Sequence, residues 1–204
     1  WKADYKNLYV IYIPQNRINI EEYPAIKNHL LKHKEGLEKR ATKQDWFEMQ
    51  QPQERFTKLF ESSEKIIYGE IAKEMRACFD GEKSYGTMKM FFIPYHPIIL
   101  GILNSKLFDW YSRNTFATLG DPWNGGRISF NTMYMDRVPI PEIDNIIGKQ
   151  IKEKVERILD IEKQDDRALS IEAIKETEAE IDQLVYRLYE LNEQEINIIT
   201  GSYK

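Results

Sequence analysis

Apolar positions change period several times along the chain, and each change predicts an element. Leu8-Tyr9-Val10-Ile11-Tyr12-Ile13 is an unbroken β-branched and aromatic run ending at Pro14, the pattern of a buried strand. Tyr23, Ile26, Leu30 and Leu37 recur at intervals of three, four and seven, which predicts an amphipathic helix with Pro24 in its first turn. Residues 41–63 are polar, broken by Pro52, with Trp46, Phe47 and Phe56 embedded. Lys65-Ile66-Ile67-Tyr68 predicts a short strand, Asp80-Gly81 and Tyr85-Gly86 predict turns, and Thr87 to Ile93 predicts a strand that ends at Pro94. After Pro97, the residues Ile98, Leu100, Ile102, Leu103, Leu107, Phe108, Trp110 and Tyr111 fall at helical spacing, the mark of one buried helix over 97–111. Residues 113–127 are irregular, with Gly120, Pro122 and Gly125-Gly126. Ile128 to Val138 alternates loosely as a strand does, and Pro139-Ile140-Pro141 closes this part.

Beyond it the pattern is helical throughout. Ile147, Ile151, Val155, Ile158 and Leu159 form one stripe; Ile171, Ile174, Ile181, Leu184, Val185, Leu188 and Leu191 form another. With a charged connector over 163–169, two such helices most simply make an antiparallel hairpin. Asn192 followed by Glu195 has the form of a capping box, so a last short helix starts there. The expectation is an α+β chain: a mixed-sheet globule over residues 1–141, then a helical hairpin over 142–204. No repeat of 20–50 residues is visible.

Composition narrows the class. With 42% hydrophobic and 30% charged residues in 204, the chain is of the soluble, folded type. Its longest apolar run, Leu8–Ile13, falls far short of the roughly 20 residues of a membrane span. It opens at Trp1 with no initiator Met and no secretory pattern, as a piece cut from something longer would. The single cysteine, Cys78, excludes an internal disulfide framework and fits a reducing cytoplasm; its apolar neighbours make it a small hydrophobe before a nucleophile. Charge is divided. Residues 1–140 hold 20 Lys+Arg against 17 Asp+Glu, a net of +3, and residues 141–204 hold 9 against 16, a net of −7. A basic body can mark a nucleic-acid partner, but +3 alone does not choose between that and ordinary solvated surface.

Catalytic motifs are largely missing. There is no phosphate-binding Gly-x-x-x-x-Gly-Lys-Ser/Thr loop and no Gly-x-Gly-x-x-Gly. His29 and His33 are four apart, but the residues between them are Leu30-Leu31-Lys32, without the Glu a metalloprotease needs after its first His. No Glu has Lys two positions on; Asp4-Tyr5-Lys6 is the one Asp version and lacks an upstream carboxylate, so cleavage by this chain is not expected. Asp121-Pro122-Trp123 approaches the Asn/Asp/Ser-Pro-Pro-aromatic motif of amino-methyltransferases, yet lacks the second Pro, and a loop turn is the better reading.

Several stretches, in order, resemble the TaqI-like C-terminal specificity domain. Tyr23-Pro24-Ala25-Ile26-Lys27 through Leu37-Glu38-Lys39-Arg40 looks like its Tyr-Pro helix, Trp46 like the aromatic that follows, and Lys65-Ile66-Ile67-Tyr68 like its Lys-Ile strand. Leu100-Gly101-Ile102-Leu103-Asn104-Ser105-Lys106-Leu107 is similar to its Leu-Asn-Ser helix and Pro139-Ile140-Pro141 to its closing motif. Ile181-Asp182, Val185-Tyr186-Arg187-Leu188-Tyr189-Glu190-Leu191 and Glu195-Ile196 are similar to its terminal helix. Residues 69–99 and 113–138 match none of its motifs, as suits loops that differ between specificities.

The resemblance implies a target-recognition domain of a type IIG restriction-modification enzyme or adenine-N6 DNA methyltransferase in a prokaryotic cytoplasm. Its partners would be duplex DNA and a covalently attached or associated methyltransferase/nuclease portion. The chain itself would hold no cofactor and catalyse nothing; S-adenosylmethionine, with Mg2+ as a second candidate, belongs to the parent enzyme. Phosphates call for Lys, Arg and small polar donors, and base edges for Arg, Asn, Gln, Lys or Ser in loops. Three stretches have those residues: Lys39, Arg40, Lys43, Gln44 and Trp46; Lys83, Ser84 and Tyr85 at an expected hairpin tip, with Lys89; and Arg113, Asn114, Trp123, Asn124, Arg127 and Asn131 around Gly125-Gly126. Arg127 is the foremost candidate, since an arginine can pair bidentately with guanine. Each has a plain structural alternative: Lys39 and Arg40 as helix caps, Trp46 and Trp123 as anchors, Asn104-Ser105 as a local brace for a strand. The rival function is a protein-interaction scaffold acting through the acidic C-terminal helices.

Overall fold

The computed structural model describes residues 1, 8–50, 59, 61–62, 64–86, 89–163 and 167–201, the side chains of 167–170 excepted. Asp4-Tyr5-Lys6, Phe56 and the start of the strand expected from Thr87 lie outside the described residues. The chain divides into two units, Tyr5–Lys58 and the remainder.

In the Tyr5–Lys58 unit, apolar burial is thin and polar clips do the ordering. Only Ile13, Ile20 and Glu48 are buried among its described residues. The run expected as a buried strand, Leu8–Ile13, is not one: Tyr9 is 89% exposed, and among the described residues no strand pairs with it. β propensity expresses a fit to a neighbouring strand, and here none is offered. The expected long helix is two, α1 (Pro24–Leu31) and α2 (Lys34–Glu38), because the position between Leu30 and Leu37 falls on polar His33 and Lys34 and no residue of either helix is buried. Instead, Met49 N–H donates to Ile13 carbonyl (2.8 Å), and the Glu48 carboxylate accepts from Asn16 N–H (2.6 Å) and Asp45 N–H (3.0 Å).

The larger unit is built on one extended run. β1 (Lys65–Gly69) lies between β3 (Cys78–Asp80) and β4 (Met90–Pro94); β2 (Ile71–Ala72) pairs with β6 (Arg127–Ser129), which pairs with β5 (Thr118–Leu119). Among the described residues every pairing is antiparallel, so the α+β class holds with two antiparallel sheets in place of one mixed sheet. Glu70 alone joins β1 to β2 and serves both sheets: its N–H donates to Lys89 carbonyl (2.9 Å) and its carbonyl accepts from Phe130 N–H (2.6 Å).

The helix expected over 97–111 breaks into α3 (Pro97–Leu103) and α4 (Lys106–Thr115). Asn104 and Ser105 make the break useful. The Asn104 amide accepts from Ala77 N–H and donates to Ala77 carbonyl, both at 2.9 Å, and so braces the approach to β3. Ser105 Oγ caps α4 by accepting from Phe108 N–H (3.2 Å). The strand expected over 128–138 ends at Ser129, since Asn131 caps α5 (Thr132–Met135), its side chain accepting from Met133 N–H.

The C-terminal helices appear as expected: α6 (Ile146–Ile161), α7 (Arg167–Leu188) and α8 (Glu193–Ile199), the last with both hydrogen bonds of the capping box. Ile151, Val155 and Ile158 of α6 join Ile181 and Val185 of α7 in the same apolar core as Leu100, Ile66, Ile128 and Phe130. Gly101 of α3 sits where they meet, and a Cβ there would lie 2.8 Å from Ile151 Cγ2 and 3.1 Å from Val155 Cγ2. Elements before and after residue 141 thus contribute to one core. Among the described residues no helix is long and apolar enough to cross a membrane.

Candidate nucleic-acid interface

The β5–β6 hairpin carries the richest candidate stretch, and its loop is tightly ordered. Asp121 carbonyl accepts from Asn124 N–H (3.0 Å) and Gly126 N–H (2.7 Å), while its carboxylate accepts from Trp123 N–H (2.9 Å). Gly126 is required here: a Cβ would come 2.4 Å from Asp121 carbonyl oxygen. The turn reading of Asp121-Pro122-Trp123 is thus what the structure shows. Trp123, at its tip, is 59% exposed.

Arg113 of α4 supports the loop from below. Its Nε donates to Asp109 (2.7 Å), its Nη1 donates to Pro122 carbonyl, and its guanidinium lies 5.3 Å from the centre of the Trp123 ring. The hydrogen bond to Asp109 holds the guanidinium pKa above its ordinary value. Arg127 is in a different position. It stands on β6 opposite Leu119, exposed, and its side chain has no hydrogen bond or ion pair among the described residues. Asn124 is exposed in the loop; Asn114 donates to Trp110 carbonyl (2.7 Å), and Asn131 is engaged as the α5 cap and with Ser129 Oγ (3.1 Å).

The loop after β3 is pinned by a buried ion pair that sequence reasoning missed. Lys65 Nζ lies 2.6 Å from Asp80 Oδ2, both side chains almost wholly out of solvent and directly opposite in the β1–β3 register. Asp80 also accepts from Glu82 N–H (3.0 Å), Ser84 N–H (2.9 Å) and Ser84 Oγ–H (3.0 Å). Burial pushes the Asp80 carboxyl up, but these hydrogen bonds together outweigh it and hold the pKa below the ordinary value. Lys83 and Tyr85 are exposed in the loop so formed, while Ser84 is engaged in holding it. Asp80-Gly81 announced the turn, but only the register reveals that Lys65 faces it.

The two loops leave the β1–Glu70–β2 run at opposite ends, Asp80 facing Lys65 at its start and Arg127 lying past Ala72 at its finish, and Lys89 returns the chain to its middle. Lys89 borders Glu70, and Arg127 follows directly on the Ala72–Ile128 pair, alongside Lys73. Glu70 to Lys73 is about 10 Å of strand. Lys73, Lys89 and Arg127 are exposed and, among the described residues, without an ion-pair partner. Lys73 was not singled out from sequence, since its neighbours Glu70 and Glu74 mask it in any local charge count.

The remaining stretch lies in the Tyr5–Lys58 unit, where its residues hold each other. Arg40 donates to the carbonyls of Leu37 (2.7 Å), Trp46 (2.8 Å) and Glu48 (2.8 Å). Trp46 is half-buried under Lys34 Nζ, 5.4 Å from its ring centre, and Gln44 accepts from Thr42 Oγ1 (2.5 Å). Lys39 pairs with Glu35 (2.7 Å), and Lys43 is exposed.

Residues 4–140 match the TaqI-like C-terminal specificity domain family. Across 189 residues, 91% of this chain, the sequence is 23% identical to the type II methyltransferase M.PaeR7I of Pseudomonas aeruginosa. The match covers 30% of that protein's length.

Proposed function

The chain belongs to the TaqI-like C-terminal specificity domain family, and from that premise we propose that it binds duplex DNA and selects the target sequence for an adenine-N6 methyltransferase, with or without nuclease, of the type IIG class. The observation that carries this reading is the contrast between the arginines. Arg113 and Arg40 are committed to internal carbonyl and carboxylate groups, whereas Arg127 stands exposed and uncommitted on a braced hairpin, in line with Lys73 and Lys89. An arginine held on a strand with its donors free is suited to the acceptor edge of guanine, and the lysines to phosphates. Lys83, Tyr85 and Asn124 are the further exposed residues we assign to contact; Arg113, Ser84 and Asn131 shape the loops that present them. Lys39 and Lys43, exposed in the other unit, suit the phosphate backbone, and Gln44, Trp46 and Asn114 fix their own segments.

We assign S-adenosylmethionine to the catalytic portion and not to this chain. The described strands are antiparallel throughout, so no parallel strand–turn–helix crevice of the nucleotide-binding kind exists among them. Nor do the described residues gather three His, Cys, Asp or Glu into a cation site. Methyl transfer, and Mg2+ where the parent also cleaves, are assigned to the catalytic portion, and the prokaryotic cytoplasm is the compartment this implies. The interaction-scaffold reading has less to stand on, because Ile151, Val155, Ile158, Ile181, Leu184 and Val185 of the α6 and α7 stripes are buried in the core, Ile171 (56% exposed) being outside it.

Selection from a random duplex library at low and near-physiological salt tests the proposal. One short enriched motif is the expected result, with log K falling against log salt at a slope of about −4 to −5 for roughly four to six phosphate contacts. Absence of recovery at both salts would overturn it.

A further inference from the structure

Trp123 has no role in the contacts assigned above, yet the fold holds it out in water. Its amide is fastened to the Asp121 carboxylate, the loop neck closes through Gly126, and the Arg113 guanidinium lies against the ring. Arg113 is in turn fixed by Asp109 and Pro122. A large apolar side chain left 59% exposed on a freely moving loop would fold back onto the protein; this one is held in place beforehand. The ordering entropy of presenting it is therefore spent during folding rather than on binding.

We propose that Trp123 is a wedge that stacks between base pairs next to the position contacted by Arg127, an inference that rests on the DNA-binding reading. The occupant follows from the surroundings. The Arg113 guanidinium lies against the ring and Arg127 stands at the neck of the same hairpin, and beyond Pro122 and the exposed Leu119 its loop neighbours Asn124 and Gly125 add no apolar side chain for a protein contact. An indole presented beside cationic groups matches a base plane bordered by phosphates. A wedge reads no base edge. It selects a step that unstacks easily, so a pyrimidine–purine step is favoured at a position that no polar side chain touches.

The test uses the chain and a duplex from the enriched pool, with 2-aminopurine placed at successive positions, and the variants Trp123→Ala and Trp123→Phe. Trp123→Ala should weaken binding roughly 5- to 100-fold, the range of one base–aromatic stack, while Trp123→Phe keeps most of the affinity. Wild type should raise 2-aminopurine emission at one step and bind a duplex mismatched there several-fold more tightly than the matched one; Trp123→Ala should do neither. Unchanged affinity and silent 2-aminopurine in both proteins, with Arg127→Ala still losing the selected motif, would overturn the wedge and leave the DNA reading standing. Weakened binding without any unstacking signal would also overturn it, in favour of an edge contact. Failure of the wild type to bind any duplex would overturn both. Thermal unfolding of each variant separates these outcomes from misfolding.

Discussion

Within the larger unit, the block of α3, α6 and α7 and the loop pair around residues 81–86 and 120–126 are held by different physics. The helical block is held by volume: Gly101, Ile151, Val155 and Ile181 fit so closely that a single methyl at Gly101 has nowhere to go. The loops are held by polar pins, Asp80 for one and Asp121 with Arg113 for the other. A close-packed block permits few substitutions. A pinned loop permits many, provided the pin survives. Under the proposed function, that separation would let one scaffold present different reading residues and would make stability and selectivity separable by mutation.

The strongest test of the loop side removes its pin. Asp80→Ala leaves Lys65 buried without its counter-charge and frees the Glu82 and Ser84 groups, so a loss of about 3–5 kcal/mol in urea unfolding is expected. Asp80→Asn should cost less, since its one amide oxygen keeps an acceptor for one of the two loop N–H groups. A loss under about 1 kcal/mol for Asp80→Ala would show that the loop is braced elsewhere. The pH dependence has a definite sign. Because the folded pKa is lowered, the stabilisation from Asp80 is complete above the unfolded value of about 4 and disappears as pH falls through the folded value.

Two substitutions then pull the regions apart. Gly101→Val overpacks the α3–α6–α7 junction and should cost about 1–3 kcal/mol in stability, while the motif selected by the folded fraction stays the same. Arg127→Ala should do the reverse: a change within about 0.5 kcal/mol in unfolding, and about 1–3 kcal/mol in binding concentrated at one base position. Uniform weakening over all sequences would make Arg127 a phosphate clamp, and no change would remove it from the interface.

The two regions also differed in how far they could be read from sequence. Stripes of period 3.6 announced α6 and α7, and Asn192-Glu195 announced α8, because those signals are local and repeat. Asn104-Ser105 was legible as a brace but not as a helix break, since apolar spacing runs through it from Ile98 to Tyr111; the partner that decides the matter, Ala77, lies 27 residues away. Leu8–Ile13 misled because strand propensity says nothing about whether a neighbour strand exists. Among the candidate site residues, residue types put Arg127 foremost but could not show how differently it is placed from Arg113. That difference depends on Asp109 one turn back and on a carbonyl across the loop. Lys65 and Asp80 stayed hidden for the same reason, since a cross-strand register is not written in either segment alone.

The smallest expected effect is also the one that contrasts the regions most directly, because the helical side has a buried carboxylate whose pKa is shifted the other way. Asp182 on α7 accepts from Lys106 N–H at the start of α4 (2.8 Å). Burial raises its pKa, and the Lys106 amide and ammonium offset that only in part. A folded pKa raised above the unfolded one means that the contribution of Asp182 is complete below about pH 4 and is lost as pH rises through the folded value. Asp182→Asn keeps an acceptor for the Lys106 N–H and carries no charge to desolvate. Relative to wild type it should therefore gain stability as pH rises from 4 to 7, the reverse of the dependence expected from Asp80. The acid lability due to Asp80 is common to both proteins and cancels in the difference. Urea unfolding of the pair at pH 4.5 and 7.5 checks it; a difference that does not change between those pH values would mean that the Lys106 amide and ammonium fully compensate the buried charge.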